Sequence, residues 1–402
     1  MSTARAHARV AATLAAMLLV AACTGRGAPG GSPSARPEPV RTSATPTATT
    51  ATPPARSPSS ATSAPATTVP PAPQPATPRV SVIATRLRVP WEIAFAPDGT
   101  AFVSERPTGV ISALSPDGRR TEVRRIAEVV AQGEGGLLGL AVSPDFRDDG
   151  LLYAYYTAAE DNRVVRFRAA GGAAAEVVLS GIPKAGNHNG GRIAFGPDGK
   201  LYIGTGDAAV PERARDHRSL GGKILRVEPD GTVPADNPFP ASPVWSLGHR
   251  NVQGLAWDAR GRLWATELGP DRDDEINLIV RGGDYGWPQA TGTARHDGSL
   301  PAAAVKQPPD AAWSGLGFVP AGAVAGWGDS LVAGGLRGQR LWRFPVTQDG
   351  RLGPGEPLLQ GRYGRLRAVV RAPDDSLWIT TSNRDGRGAP AADDDRILRY
   401  GR

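Results

Sequence analysis

The sequence predicts an all-β fold, a six-bladed β-propeller in which each blade is a sheet of four antiparallel strands. Three observations lead to this prediction. The chain contains 50 Gly and 38 Pro among its 402 residues, which indicates many turns. No long segment repeats apolar residues every three or four positions, so helices should be scarce. A turn motif flanked by strand-like segments recurs six times, as expected when each copy belongs to one blade.

The recurring motif is an apolar pair, a turn of the Pro-Asp-Gly type and an apolar segment with alternating character. In its clearest copy, Phe95–Gly99 is followed by Ala101–Val103. Pro presets the first turn dihedral, Asp bonds to nearby backbone and Gly permits a positive φ, so each copy predicts a hairpin. The six copies span residues 95–103, 143–156, 195–203, 257–264, 326–332 and 372–379. Their even spacing favours six blades over a β-sandwich or two small β domains.

The first 22 residues resemble a bacterial lipoprotein signal peptide. Arg5 and Arg9 precede the apolar run Val10–Ala22, which is too short to span a bilayer as a stable helix. Small residues lead directly into Cys23, the only Cys of the chain, as in a lipobox. The alternative is an ordinary signal peptide followed by an incidental Cys. We expect lipidation of Cys23 and an extracytoplasmic protein anchored to the outer face of the cell membrane.

Residues 23–78 have the composition of a disordered tether, and residues 79–402 form the predicted propeller domain. The tether consists almost entirely of Pro, Ala, Thr, Ser and Gly, so it cannot bury enough apolar surface to fold. A single Cys excludes an internal disulfide framework. The net charge of +7 comes from scattered Arg residues without a basic run, which argues against nucleic-acid binding. A basic surface would suit an anionic cofactor or an acidic cell envelope equally well.

Chemistry in a propeller is expected in the loops at one end of the central channel. His188 lies in a Gly- and Asn-rich loop before the third motif, and Asp207 follows that motif's strand. An Asp at this position could orient the imidazole as a base. The acidic loop Asp271–Glu275 offers hard oxygen ligands that suit calcium, or it is a solvated turn.

Several arginines are candidates for binding an anion near the channel. Arg250 stands beside Asn251, Arg337 follows the fifth motif, and Arg365 and Arg367 share one side of a strand before the sixth motif. Arginines that converge on the propeller axis would bind a polyanionic ligand, because each guanidinium can make two parallel hydrogen bonds to one carboxylate of the ligand. Ordinary surface positions are the alternative.

From about residue 80 to its end, the chain resembles the soluble PQQ-dependent glucose and aldose sugar dehydrogenase family (PQQ is pyrroloquinoline quinone). The segments that carry this resemblance occur in the family's order. They are Gly133–Gly139, the His188 loop with Asp207, Leu220–Arg226, Gly248–Leu255, Asp273–Asn277 and Gly283–Pro288. The resemblance implies oxidation of an aldose to a lactone by hydride transfer to PQQ.

The resemblance also implies a role for individual residues. His188 would take the proton of the anomeric hydroxyl, and Asp207 would orient it. The cofactor would be bound by residues from several blades: Glu134, Arg250, Asn251, Arg337, Arg365 and Arg367. The backbone carbonyls of Gly269 and Pro270 would hold a Ca²⁺ that polarises the quinone. Glu275 and the carbonyl of Tyr285 would bind a second, structural Ca²⁺.

This chain departs from the family pattern at two informative positions. Glu134 stands where PQQ-binding relatives often have Gln, and a carboxylate there would repel the cofactor unless it is protonated or paired. Ala368 follows the Arg365 and Arg367 pair where an acid is common. Two other readings stay open: a non-catalytic extracellular propeller that binds glycan or protein, and a calcium-dependent lactonase. The sequence does not specify the sugar, the electron acceptor, or whether the protein is a monomer or a homodimer.

Overall fold

The computed structural model describes residues 78–115 and 118–401. Within that part, the chain forms six four-stranded antiparallel sheets, which confirms the predicted six-bladed β-propeller. The first strand of each sheet packs against the first strands of both neighbouring sheets, so the six sheets close into a ring. The predicted signal peptide, Cys23 and tether residues 23–77 lie outside the described residues, and these assignments stay predictions.

The first three blades run from their innermost to their outermost strand in chain order. Blade one consists of β2 (Pro90–Phe95), β3 (Ala101–Glu105), β4 (Val110–Leu114) and β5 (Arg120–Arg125). Blade two consists of β6 (Leu137–Val142), β7 (Leu151–Thr157), β8 (Asn162–Arg168) and β9 (Glu176–Ile182). Blade three consists of β10 (Ile193–Phe195), β11 (Leu201–Gly204), β12 (Ile224–Val227) and β13 (Val244–Ser246).

The last three blades complete the ring, and blade six takes its outermost strand from the start of the domain. Blade four consists of β14 (Val252–Trp257), β15 (Leu263–Glu267), β16 (Asp274–Ile279) and β17 (Ala304–Lys306). Blade five consists of β18 (Trp313–Val319), β19 (Ser330–Gly335), β20 (Arg340–Pro345) and β21 (Glu356–Leu358). Blade six consists of β22 (Leu366–Arg371), β23 (Leu377–Thr381), β24 (Ile397–Gly401) and β1 (Arg79–Ala84), which pairs antiparallel with β24. This pairing joins the two ends of the ring.

Helix is scarce, as predicted. The described residues contain the four-residue helix α1 (Phe146–Asp149) and one turn of 3₁₀ helix, Pro211–Ala214. Neither helix in this part of the chain has the length and apolar character that a membrane crossing requires.

Apolar side chains are buried mainly between neighbouring blades. Six clusters of buried residues are present among the described residues. Five join two adjacent blades, and the cluster between blades two and three also includes Trp91 of blade one. Strands in the middle of a blade therefore bury both faces. All five positions of β3 are buried, where the sequence pattern had predicted alternation between buried and exposed positions. A sheet covered on both faces does not need a polar face, which explains this difference.

The six turn motifs define one end of the propeller channel. Each motif connects the innermost strand of a blade to the next strand, as in the hairpin between β2 and β3. At this end, residues of all six innermost strands line a cavity of about 760 Å³ with a largely apolar wall. His188 precedes β10 and Asp207 follows β11, so both residues lie at the opposite end.

Candidate active site

His188 and Asp207 form a hydrogen-bonded pair at the mouth of the channel. His188 Nδ1 lies 2.8 Å from Asp207 Oδ1, and the aspartate is fully buried. Two further donors bind this carboxylate: Trp287 Nε1 at 2.8 Å from Oδ2 and the backbone N–H of Ala209 at 2.8 Å from Oδ1. With Nδ1 donating to Asp207, His188 Nε2 is an acceptor, as a general base needs, and Asn187 Nδ2 lies 3.3 Å from it.

The electrostatics keep Asp207 in its charged form. Burial alone would raise the pKa of Asp207, but the hydrogen bond and charge of His188, together with the Trp287 hydrogen bond, lower it below its ordinary value. A charged carboxylate fixes the tautomer of the imidazole and would stabilise the imidazolium that forms when His188 accepts a proton.

A close backbone approach fixes the position of His188. This residue adopts a left-handed conformation with φ of 54°, and its carbonyl accepts the backbone N–H of Ala208 at 3.1 Å. A Cβ atom at position 206 would lie 1.9 Å from the His188 carbonyl oxygen. Only glycine therefore fits at position 206, one residue before Asp207.

A central cavity of about 240 Å³ adjoins this pair. That volume lies just below the range of about 300–1,000 Å³ that is usual for small-molecule sites. The lining residues come from loops and strands of several blades: Trp91, Arg106, Gly133, Glu134, Asn189, Gly190, Gln253, Leu268, Leu336, Arg367, Asp385, Gly386 and Arg387. Three of these side chains are guanidinium groups and two are carboxylates, so the wall carries more positive than negative charge.

Arg365 and Arg367 both lie beside Asp385, a carboxylate that the family resemblance had not indicated. The nearest nitrogens of Arg365 and Arg367 lie 2.9 and 3.6 Å from Asp385 Oδ2. Burial lowers the pKa of Arg367 to about 10, and the charge of Asp385 opposes this shift. Ala368 is thus no sign of a missing carboxylate, because Asp385 supplies one from the loop after β23.

Glu134 is paired rather than free. Its Oε1 accepts Arg387 Nη1 at 2.8 Å, and its Oε2 accepts the backbone N–H of His188 at 3.1 Å. Burial would raise the pKa of Glu134, but the hydrogen bond and charge of Arg387 lead a set of contacts that lower it. The carboxylate is therefore charged and compensated, which is one of the two conditions under which an anionic ligand could still bind beside it.

Arg250 and Asn251 occupy different surroundings. Arg250 Nη1 donates to the carbonyls of Leu268 and Gly269 at 3.0 and 2.7 Å, and its Nε is buried without a hydrogen-bond partner among the described residues. Asn251 Oδ1 accepts the backbone N–H of Gly190 at 2.9 Å, so this amide supports the His188 loop. Arg337 is exposed, and its neighbour Leu336 rather than Arg337 itself lines the cavity.

The structure gathers the four predicted calcium ligands around one small cavity of about 10 Å³. Its wall includes Gly269, Pro270, Glu275 and Tyr285, together with Glu267. Burial and the neighbouring Glu267 carboxylate raise the pKa of Glu275. Among the described residues, no group of three or more His, Cys, Asp or Glu side chains could hold a metal. A cation here would therefore depend on backbone carbonyls as well as the two glutamates.

Comparison with known proteins assigns the family. Residues 87–398 match the sequence model described as Glucose / Sorbosone dehydrogenase. The chain belongs to this family. Both the resemblance and the prediction of an oxidoreductase are thereby confirmed, because the glucose/sorbosone dehydrogenases are sugar-oxidising enzymes.

Named relatives of this glucose/sorbosone dehydrogenase family member include two curated proteins. Quinoprotein glucose dehydrogenase B of Acinetobacter calcoaceticus is 34% identical over 278 residues, which is 58% of this chain and 58% of that protein. Aldose sugar dehydrogenase YliI of Escherichia coli is 30% identical over 354 residues, 77% of this chain and 92% of that protein. Among solved structures, the PQQ-bound form of aldose sugar dehydrogenase from Streptomyces coelicolor is 45% identical with a TM-score of 0.75, covering 82% of this chain and 99% of that one.

Several residues of the site in this family member were missed by sequence reasoning. They are Trp91, Arg106, Glu267, Asp385 and Arg387, and both Gln253 and Trp287 were noted only as parts of motifs. One of them had a usable signal. Glu267 and Glu275 lie directly opposite each other in the register of β15 and β16, which an alignment of adjacent strands could have suggested. Asp385 and Arg387 lie in a loop without such a pattern.

Proposed function

We propose that this dehydrogenase oxidises the anomeric carbon of aldose sugars to the lactone, with PQQ as hydride acceptor and His188 as general base. The observation that carries the proposal is the His188–Asp207 pair beside the cationic cavity. Three neighbours of the pair, Glu134, Asn189 and Gly190, are themselves part of the cavity wall. Relatives named as a quinoprotein glucose dehydrogenase and as a PQQ-bound aldose sugar dehydrogenase support the choice of cofactor.

The residues around the cavity fit an anionic cofactor. Arg106 lines the central cavity, whereas Arg250 lines the small cavity that contains Glu267 and Glu275. Each of these two arginines has a buried Nε atom without a hydrogen-bond partner among the described residues. Unpaired buried donors are costly unless a ligand satisfies them, and guanidinium groups suit the carboxylates of PQQ. We propose that Arg106, Arg250 and Arg367 hold the cofactor, with Arg365 orienting Arg367 through Asp385. Asn251 then serves the His188 loop, and Arg337 is the weakest of the predicted contacts.

The chain's own residues would handle the proton and the position of the sugar. When bound, PQQ supplies the quinone that accepts the hydride of the anomeric carbon. His188 Nε2 would take the proton of the anomeric hydroxyl as the hydride leaves, because Asp207 holds the proton on Nδ1. Base catalysis of this kind contributes about 10²- to 10⁴-fold to the rate. The Asp207 charge would stabilise the protonated imidazole until the proton passes to solvent.

We also propose a Ca²⁺ at the small cavity beside Arg250. Glu267 and Glu275 offer carboxylate oxygens, and the carbonyls of Gly269, Pro270 and Tyr285 are of the hard type that calcium prefers. The shared cavity favours one cation over the two separate ions that the sequence comparison suggested. A divalent cation there would relieve the repulsion between the two buried glutamates, and it could act as a Lewis acid toward the cofactor.

The decisive experiment is dye reduction by the full chain across a panel of aldoses, with and without PQQ and Ca²⁺. His188→Ala should lower turnover by about 10²- to 10⁴-fold while PQQ still binds. The exposed His296 provides a matched control, and His296→Ala should leave turnover unchanged. Reduction that does not require PQQ, or that survives in His188→Ala, would refute the proposal. Activity on a lactone without any dye reduction would instead favour a lactonase.

The location of the enzyme is a separate proposal. We propose that Cys23 is lipidated after signal-peptide cleavage and that the tether holds the propeller outside the cell membrane. The lipobox-like residues before Cys23 support this. Mass spectrometry of the mature N-terminus should find an acylated Cys23, and Cys23→Ala should release the protein from the membrane fraction. An unmodified N-terminus would contradict it.

A further inference from the structure

Three loops meet at the edge of the central cavity, and one carboxylate connects them. Glu134 comes from the loop between β5 and β6, and its backbone N–H donates to the carbonyl of Gly186 at 2.8 Å. Its side chain accepts the backbone N–H of His188 and, on the other oxygen, Nη1 of Arg387. Arg387 belongs to the loop after β23, 253 residues away along the chain. The pair therefore joins the loop of the base to the blade-six loop that also lines the cavity.

The position of this ion pair indicates a function other than stability. The Arg387 side chain is 63% exposed, and ion pairs with this exposure contribute little to folding. Both Glu134 and Arg387 line the cavity, however, so their charges act directly on whatever occupies it. An unpaired carboxylate at this wall would repel an anionic ligand, whereas the paired one is masked.

The Arg387 guanidinium also has hydrogen-bond donors that the ion pair with Glu134 does not use. The only hydrogen bond from its side chain within the described residues is the one from Nη1 to Glu134. Glu134 makes a second contact, because its Oε2 accepts the backbone N–H of His188, a residue in the left-handed conformation. The Glu134 carboxylate thus holds the backbone of His188, and the Arg387 guanidinium lies next to that carboxylate.

We propose that Arg387 is a positioning residue that masks the charge of Glu134 from the anionic cofactor while Glu134 holds the backbone of His188. This inference rests on the proposed function, since it concerns the same cavity. It assigns to Arg387 an electrostatic role that depends on the presence of Glu134. Removing Arg387 should therefore weaken cofactor binding strongly only when residue 134 is charged.

A double-mutant cycle with calorimetric PQQ binding to the full chain tests this dependence. Arg387→Gln should weaken PQQ affinity roughly tenfold in the Glu134 background, as expected for exposing one like charge near a bound anion. In the Glu134→Gln background the same change should weaken affinity by no more than about threefold. Glu134→Gln keeps an acceptor for the His188 N–H, so the apo melting temperatures should stay close to the wild-type value.

The control removes an equal charge from an exposed ion pair elsewhere. Arg351 pairs with Asp349 at 2.6 Å and is 84% exposed, and Arg351→Gln should leave PQQ affinity unchanged. Equal losses of affinity on removing Arg387 in both backgrounds would overturn the proposal, because Arg387 would then act independently of Glu134. No loss in either background would overturn it as well. Failure of the wild-type protein to bind PQQ would instead overturn the proposed function itself.

Discussion

Gly206→Ala perturbs the catalytic pair without changing any of its side chains. The new Cβ atom would lie 1.9 Å from the His188 carbonyl oxygen and 2.4 Å from its carbonyl carbon. Both neighbours are backbone atoms, so no side-chain rotation relieves the overlap. The His188 loop and the strand end that carries Asp207 must move apart by at least about 1 Å to reach a tolerable contact.

The size of the effect follows from the hydrogen bond that this movement breaks. His188 Nδ1 and Asp207 Oδ1 are 2.8 Å apart, so a displacement of this size takes them beyond hydrogen-bonding distance. A misplacement of about 1 Å in a catalytic site lowers turnover by roughly 10²-fold. Overpacking should also reduce the free energy of unfolding by about 1–3 kcal/mol.

Turnover in the dye assay and thermal melting measure the two effects. Gly186→Ala is the matched control, because it lies two residues from His188, its φ is outside the left-handed region and its added Cβ would have no neighbour within 4 Å. That variant should retain wild-type turnover. If Gly206→Ala turned over within about threefold of the wild-type rate, the close backbone approach would not be what positions the base.

Three further predictions concern the surroundings of the site. Trp287→Phe removes the N–H donor to Asp207, so turnover should fall about 3- to 10-fold. Because that hydrogen bond helps to lower the pKa of Asp207, the acidic limb of the pH–rate profile should move to higher pH. An unchanged profile would contradict this. Asp385 has a lowered pKa because two arginines outweigh its burial, so its contribution to stability is present above about pH 4 and lost as pH falls through its folded-state pKa. Asp385→Asn should therefore lower the free energy of unfolding at pH 7 by roughly 3–5 kcal/mol and show a smaller difference in acid; an equal difference at all pH values would exclude the ion pair as the cause. Removing Ca²⁺ with a chelator should lower the melting temperature of the wild type. The lost stabilisation is about 2.7 kcal/mol when the starting Ca²⁺ concentration is one hundred times the Kd. The melting temperature of Glu275→Gln should not respond to the chelator, and equal sensitivity of both proteins would place the cation elsewhere.

The fold could be predicted because its signals are local. Each Pro-Asp-Gly type turn and its flanking strands lie within about a dozen residues, as at residues 95–103, and the six copies mark the innermost hairpin of every blade. The joining of β1 to β24 could not be predicted in the same way. It pairs strands from opposite ends of the domain, and neither strand contains a turn that points to the other.

The candidate site was predictable only in part, for the same reason. His188 and Asp207 are 19 residues apart on one blade, and family resemblance connected them directly. Asp385 and Arg387 were missed because their partners, Arg367 and Glu134, lie on other strands or blades. The two departures at Glu134 and Ala368 therefore looked like losses in the sequence, although the loop after β23 supplies a partner charge at both places.

The most direct test of the central claim is the single-turnover reduction of the PQQ-loaded full chain by an aldose that carries deuterium at C1. We predict that deuterium slows reduction in the wild type, and that His188→Ala, still loaded with PQQ, is slower by about 10²- to 10⁴-fold. A reduction rate that depends neither on deuterium at C1 nor on His188 would contradict hydride transfer assisted by this base.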